Sequence, residues 1–126
     1  MGTKQLNGLP EDTDLRRADS LAREIFSDVA NKWALLIIEA LGGGTRRFSE
    51  LRDAVEGISH KMLTQNLRML ERNGLLERTV HPVVPPRVDY TLTESGQALQ
   101  ATIDGMCDWT QRYLRHIESA RRRFDA

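Results

Sequence analysis

Apolar side chains at Leu15, Ala18, Ala22, Ile25 and Val29 recur at steps of three and four, the repeat of a helix with one apolar face, and Asp14 caps its start. The next run, NKWALLIIEAL, is apolar nearly all round. Trp33, Leu36, Ile37, Ala40 and Leu41 fall on one side and Leu35 and Ile38 on the other, which predicts a centrally buried helix. Gly42, Gly43 and Gly44 then stop it, because glycine takes the left-handed C-terminal conformation without steric cost.

A short stripe follows in RRFSELRDAVEGIS, with Ser49 as N-cap, Leu51, Ala54 and Val55 apolar, and a break at Glu56-Gly57. SHKMLTQNLRMLERNG restarts a helix with Ser59 as N-cap and Ile58 placed to staple onto Leu63, and Gly74 ends it. LLERTVHPVVPPRVDYTLT is rich in β-branched residues. Its Val88, Tyr90 and Leu92 alternate onto one face, and Pro82, Pro85 and Pro86, which cannot donate to a ladder, belong in the tip of a hairpin. Thr93 caps one long final helix through Leu99, Ile103, Met106, Tyr113 and Ile117, which runs on to the cluster Arg121, Arg122 and Arg123.

These elements predict a mostly α protein with a small β-hairpin. Residues 1–13 are a polar, mobile tail, and residues 14–126 form one domain. Within it, 49–73 are a short helix, a tight glycine turn and a longer helix, the helix-turn-helix arrangement, and 76–92 are a hairpin that makes it a winged one. The apolar stripes of 14–30 and 94–123 are too long for one small domain to cover, so Leu15, Ala18, Ala22, Ile25, Val29, Leu99, Ile103, Met106, Trp109, Tyr113 and Ile117 are expected in a homodimer seam.

On a helical wheel Leu63, Leu67 and Leu70 make a buried seam flanked by Met62 and Met69, while Lys61, Gln65, Arg68 and Arg72 fall on the opposite face with Thr64 at its border. In a DNA major groove such a helix puts Lys61, Thr64 and Gln65 at base edges and Arg68 and Arg72 on phosphates or guanine, with His60 on a phosphate. Lys32, Ser49 and Ser59 complete the expected DNA-binding set. Arg87, beside the stiff proline tip, is placed for phosphate or the adjacent minor groove. The plain alternatives are a solvated helix face and an Arg87 that pairs with Asp89.

The chain has 126 residues, zero formal net charge and one cysteine. No global basic field attracts nucleic acid, so a DNA site must be a local patch. Cys107 has no partner for an intrachain disulfide, and beside Met106 on a helix it is expected to be a buried structural residue. The chain has no signal peptide, membrane span or lipid-anchor motif, which predicts a cytoplasmic protein. His60, His81 and His116 lack ligand partners at metal spacing. No nucleophile-base set, paired-carboxylate motif or phosphate loop is present, and GGG at 42 to 44 lacks the Lys and Ser of a P-loop. No enzyme, cofactor or metal is expected. Trp33 is expected in the core, and the arginines near the C-terminus in solvent.

The runs NKWALLIIEAL, RRFSELRDAVEGISHKMLTQNLRMLERNGLLERTV and PPRVDYTLTESGQAL, with Trp109, resemble the HxlR family of bacterial transcriptional regulators, over roughly residues 18 to 110. The resemblance implies a winged helix-turn-helix homodimer joined through its N- and C-terminal helices on a palindromic operator. It also implies a recognition helix bearing Ser59, Lys61, Thr64, Gln65 and Arg68, and Arg87 in the wing. Many members resemble thiol sensors with a cysteine upstream of the Lys-Trp pair. Here Ser20 takes that place, which implies that the usual redox switch is missing, while NKW in place of GKW keeps Lys32 and Trp33. A small-molecule effector is left open. The competing reading is a winged-helix module for protein-protein contact without DNA, which an apolar or acidic face opposite Leu63 and Leu67 would favour; the face is basic and polar.

Overall fold

Leu63, Leu67 and Leu70 share one face of the helix His60–Arg72 and are almost wholly removed from water, each contributing about 1.5–3 kcal/mol relative to exposure. They are the centre of the computed structural model, which describes residues 12–126. Of the expected tail, residues 1–11 lie outside the described residues, whereas Asp12 and Thr13 already belong to a helix, α1 (Asp12–Val29). Asp14 is therefore inside the first turn rather than its cap, and it pairs there with Arg17.

After α1 come α2 (Lys32–Leu41), β1 (Arg46–Arg47), α3 (Phe48–Ala54), α4 (His60–Arg72), β2 (Leu76–His81), β3 (Arg87–Leu92), α5 (Glu94–Arg112) and α6 (Leu114–Asp125). Asn31 caps α2 by accepting a hydrogen bond from the Ala34 N–H at 2.8 Å. Ala34, Ile37, Ile38 and Leu41 are buried, but Leu35 and Leu36 are each 37% exposed, so α2 is covered on one side only and is not central all round. Of the three glycines after it only Gly44 has positive φ (126°); Gly42 stays right-handed at −62° and caps the helix through its own N–H. The core joins α2, α3, α4, the sheet and the end of α1 through Val29.

Two differences concern α3. Its first residue is Phe48, and the cap position is Arg47, so Ser49 lies inside the first turn rather than capping it; Glu50 instead reaches back to accept from the Arg47 N–H at 2.8 Å. Ser59 does cap α4, accepting from the Met62 N–H at 3.1 Å. Between the two helices Gly57 turns the chain at φ 84°, a left-handed conformation that favours glycine.

The hairpin gains a third strand. The antiparallel sheet has the order β1-β3-β2, with Arg46 and Arg78 on either side of Tyr90, and Arg47 and Thr79 on either side of Asp89. Residues opposite one another share a face, so Arg46, Tyr90 and Arg78 look one way and Arg47, Asp89 and Thr79 the other. All three wing prolines lie between β2 and β3.

Thr93 caps α5, accepting from the Gly96 N–H at 3.2 Å. The start of this helix is tied to the end of α4: the hydroxyls of Thr93 and Ser95 donate to the Gly74 carbonyl at 2.6 and 2.9 Å, and the Thr93 N–H donates to the Leu75 carbonyl at 3.0 Å. A Cβ on Gly96 would stand 2.0 Å from the Leu75 oxygen, so only glycine allows this approach. The expected single helix 94–123 is broken at Tyr113 (φ −106°, ψ 14°), beyond which α6 runs to Asp125. No helix among the described residues is long and apolar enough to cross a membrane.

Candidate nucleic-acid interface

On α4, Lys61, Gln65, Arg68 and Arg72 are exposed and Thr64 is half-buried, because the leucine seam fixes the helix rotation and turns that face outward. Asn66, the buried polar residue of the seam, donates to the Met62 carbonyl one turn back at 2.8 Å, so it is satisfied within the helix and takes no part in the outer face. His60, at the first turn, is exposed and packs its ring on Phe48, the first residue of α3, with centroids 4.8 Å apart. This contact sets the two helix starts side by side.

Lys32 and Trp33 bear on the turn between these helices. The Trp33 ring edge comes within contact distance of a Cβ placed on Gly57, and the Lys32 Nζ lies 4.7 Å from the centroid of that ring. Trp33 packs against the core, as expected of it. Lys32 is exposed.

Arg87 opens β3 just past the proline tip. Its Nε is 3.5 Å from Oδ1 of Asp89, so the pairing set out as the plain alternative forms, yet the side chain keeps 39% of its surface in water. The pair is loose: Nε is removed from water and has no hydrogen-bond partner of good geometry. The other Asp89 oxygen lies 2.8 Å from Nε2 of His81. A cleft of about 570 Å³ separates the wing tip from the start of α3, with Arg47 and Ser49 on one wall and Val84, Pro86 and Arg87 on the other. Ser49 and Arg87 thus meet across one groove.

A second cleft, about 410 Å³, lies between α4 and the sheet and takes in Thr64, Arg68, Glu71, Arg78 and Tyr90. Arg47 and Arg78 were absent from the sequence-based set. Arg78 had only its charge within a stretch of strand as a signal, which cannot say on which side of the sheet an arginine will stand, and Arg47 precedes a short helical run with no strand pattern at all.

The expected seam residues divide. Val29 is buried in the chain's own core, and Ile25, Leu99 and Ile103 pack against it. Leu15, Ala18, Ala22, Met106, Trp109 and Tyr113 are exposed and Ile117 is half-buried; Leu21 and Phe26, which the stripe reading passed over, are exposed as well. Trp109 and Tyr113 pack on each other at 5.7 Å. Cys107 is exposed on α5 rather than buried, because α5 meets the core only along its first half and Cys107 lies in the half beyond Ile103. Among the described residues no group of three or more His, Cys, Asp and Glu side chains is placed to hold a metal ion.

A capped helix with a basic, polar outer face, set by a tight turn against a shorter helix and flanked by a three-stranded wing, defines a winged helix-turn-helix protein. The sequence profile of the HxlR-like helix-turn-helix family matches residues 28–118, and the chain belongs to that family. It is 41% identical over 100 residues to YtfH, an uncharacterized HTH-type transcriptional regulator of Escherichia coli K12, covering 79% of each chain. YodB, an HTH-type transcriptional regulator of Bacillus subtilis, is 43% identical over 88 residues, 70% of this chain and 79% of that one. Among solved structures, the ytfH protein of Salmonella typhimurium superposes with a TM-score of 0.68 at 40% identity, over 80% of this chain and 90% of that one. The reduced form of B. subtilis YodB gives 0.67 at 42% identity, over 72% and 89%. These relatives are named HTH-type transcriptional regulators, and a DNA-binding regulator is the function that they support.

Proposed function

We propose that the chain is a sequence-specific transcriptional regulator that binds an inverted-repeat operator in the cytoplasm as a homodimer. The observation that carries this reading is the outer face of α4, where Lys61, Gln65, Arg68 and Arg72 are all exposed opposite a seam of buried leucines. A protein-docking helix would present apolar or acidic side chains there. Lys61, Thr64 and Gln65, in the first half of the helix, read base edges; His60, Ser59, Ser49, Lys32 and Arg87 position the backbone, and Arg72 meets the strand at the helix end. The second copy covers the apolar side chains left on α1 and on the outer half of α5, from Leu15, Ala18, Ala22 and Phe26 to Met106, Trp109 and Tyr113. Sequencing of genomic fragments retained by the purified protein tests the reading. An inverted repeat shared by the retained fragments is expected; a set with no common motif would refute sequence-specific binding.

A further inference from the structure

Arg68 and Arg78 stand on the two walls of the cleft between α4 and the sheet, one from the recognition helix and one from the edge strand β2. Both are exposed, and among the described residues neither has a carboxylate within 4.0 Å, although Glu71 lines the same cleft one turn beyond Arg68. The sheet register explains why Arg78 is there. It lies opposite Tyr90, and Tyr90 is buried on the face turned toward α4, so Arg78 points to the same side at the open rim. Two guanidinium groups facing one slot, with the Thr64 hydroxyl beside them, suit an anion with several acceptor oxygens.

We infer that Arg68 and Arg78 close from two sides on one DNA phosphate, at the strand bordering the groove that α4 enters. This assignment rests on the DNA-binding reading and deepens it. Of phosphate and guanine it commits Arg68 to phosphate, and it gives β2, not only the wing tip, a part in gripping the backbone. Glu71 opposes the phosphate and moderates the grip, so non-specific binding stays weak enough for the protein to leave wrong sites.

The test uses the full chain and a random-sequence duplex, with affinity followed across a salt series. Arg78→Ala is expected to weaken binding severalfold whatever the sequence, and Arg78→Lys, which keeps the charge but not the fork, to restore part of it. Because the two arginines share one phosphate, the Arg68→Ala/Arg78→Ala variant should flatten the salt slope by about one unit and not two. Glu71→Gln, at an exposed position, should tighten binding. Normal affinity in Arg78→Ala, a double variant whose slope falls by about two units, or a Glu71→Gln protein that binds no tighter, would overturn the clamp while leaving the regulator reading intact. A wild-type protein that binds no duplex at any salt would overturn both.

Discussion

Arg87 and Asp89 stand two residues apart on β3, with the arginine Nε 3.5 Å from the aspartate Oδ1. The carboxylate is only 19% exposed and also meets His81, so it holds the base of the wing while leaving the far side of Arg87 in water. Arg87→Ala is expected to weaken binding to operator and random duplex alike and to flatten the salt slope by about one unit, since one neutralised phosphate is lost. Asp89→Asn removes a competing negative charge and should tighten random-duplex binding. A salt titration of the two variants decides it: an unchanged slope in Arg87→Ala makes this residue a partner of Asp89 and nothing more.

Gln65 faces away from the leucine seam one turn into α4 and is exposed. Its amide can pair with two atoms of an adenine edge. Gln65→Ala should cost about 1–3 kcal/mol at one operator position and relax the preference there. Binding measured against a panel of single-base operator variants distinguishes this from a uniform loss, which would mark a backbone contact.

Phe26 is 67% exposed on α1 and Trp109 52% on α5, an unusual amount of aromatic surface for a chain working alone. Sedimentation is expected to give a dimer at micromolar concentration, and Trp109→Asp a monomer with an unchanged helix content. The operator half-sites should be centred about one helical turn, roughly 34 Å, apart. A wild-type monomer would contradict the shared seam.

Ser20, exposed on α1, carries a hydroxyl that cannot form a sulfenic acid or a disulfide. Cys107 is open to reagents, so burial does not protect it, but it has no second thiol in the chain. Diamide is therefore expected to leave operator binding equal in wild type and Cys107→Ser. Release seen only in the wild type would make Cys107 a sensor that acts between subunits.

Helix α4 and the start of α5 were legible because their signals are local: Ser59 and Thr93 cap from their own sequence positions, and the leucine seam of α4 follows from spacing alone. What escaped was set by distant partners. Arg46 and Arg47 have no strand pattern and become a strand only because β3 lies beside them. Arg78 joins the candidate site only through the sheet register and the packing of α4 on β2. Cys107 sits in an apolar-looking helix, yet exposure depends on where the core ends, which periodicity does not report. The break at Tyr113 lies in a helical pattern that continues through it, with no glycine or proline there to announce it.

Gly96→Ala should be among the most damaging single-methyl additions, because its Cβ would press into the Leu75 carbonyl rather than into a side chain able to move. A loss of at least about 1–3 kcal/mol is expected in urea unfolding. A stability within 0.5 kcal/mol of wild type, roughly the scatter of neutral surface changes, would show that α5 can shift away from the turn.

Because Gly74 and Leu75 bind the first turn of α5 so closely, α4 and α5 meet at a fixed elbow rather than a hinge. In a two-fold pair joined along α5, the separation of the two reading helices is then dictated by how those seam helices cross. In the proposed dimer the seam would work as a calliper: a rotation of one α5 over its partner by a few degrees would swing both jaws, and a match to an operator would be gained or lost with no rearrangement inside either wing or α4.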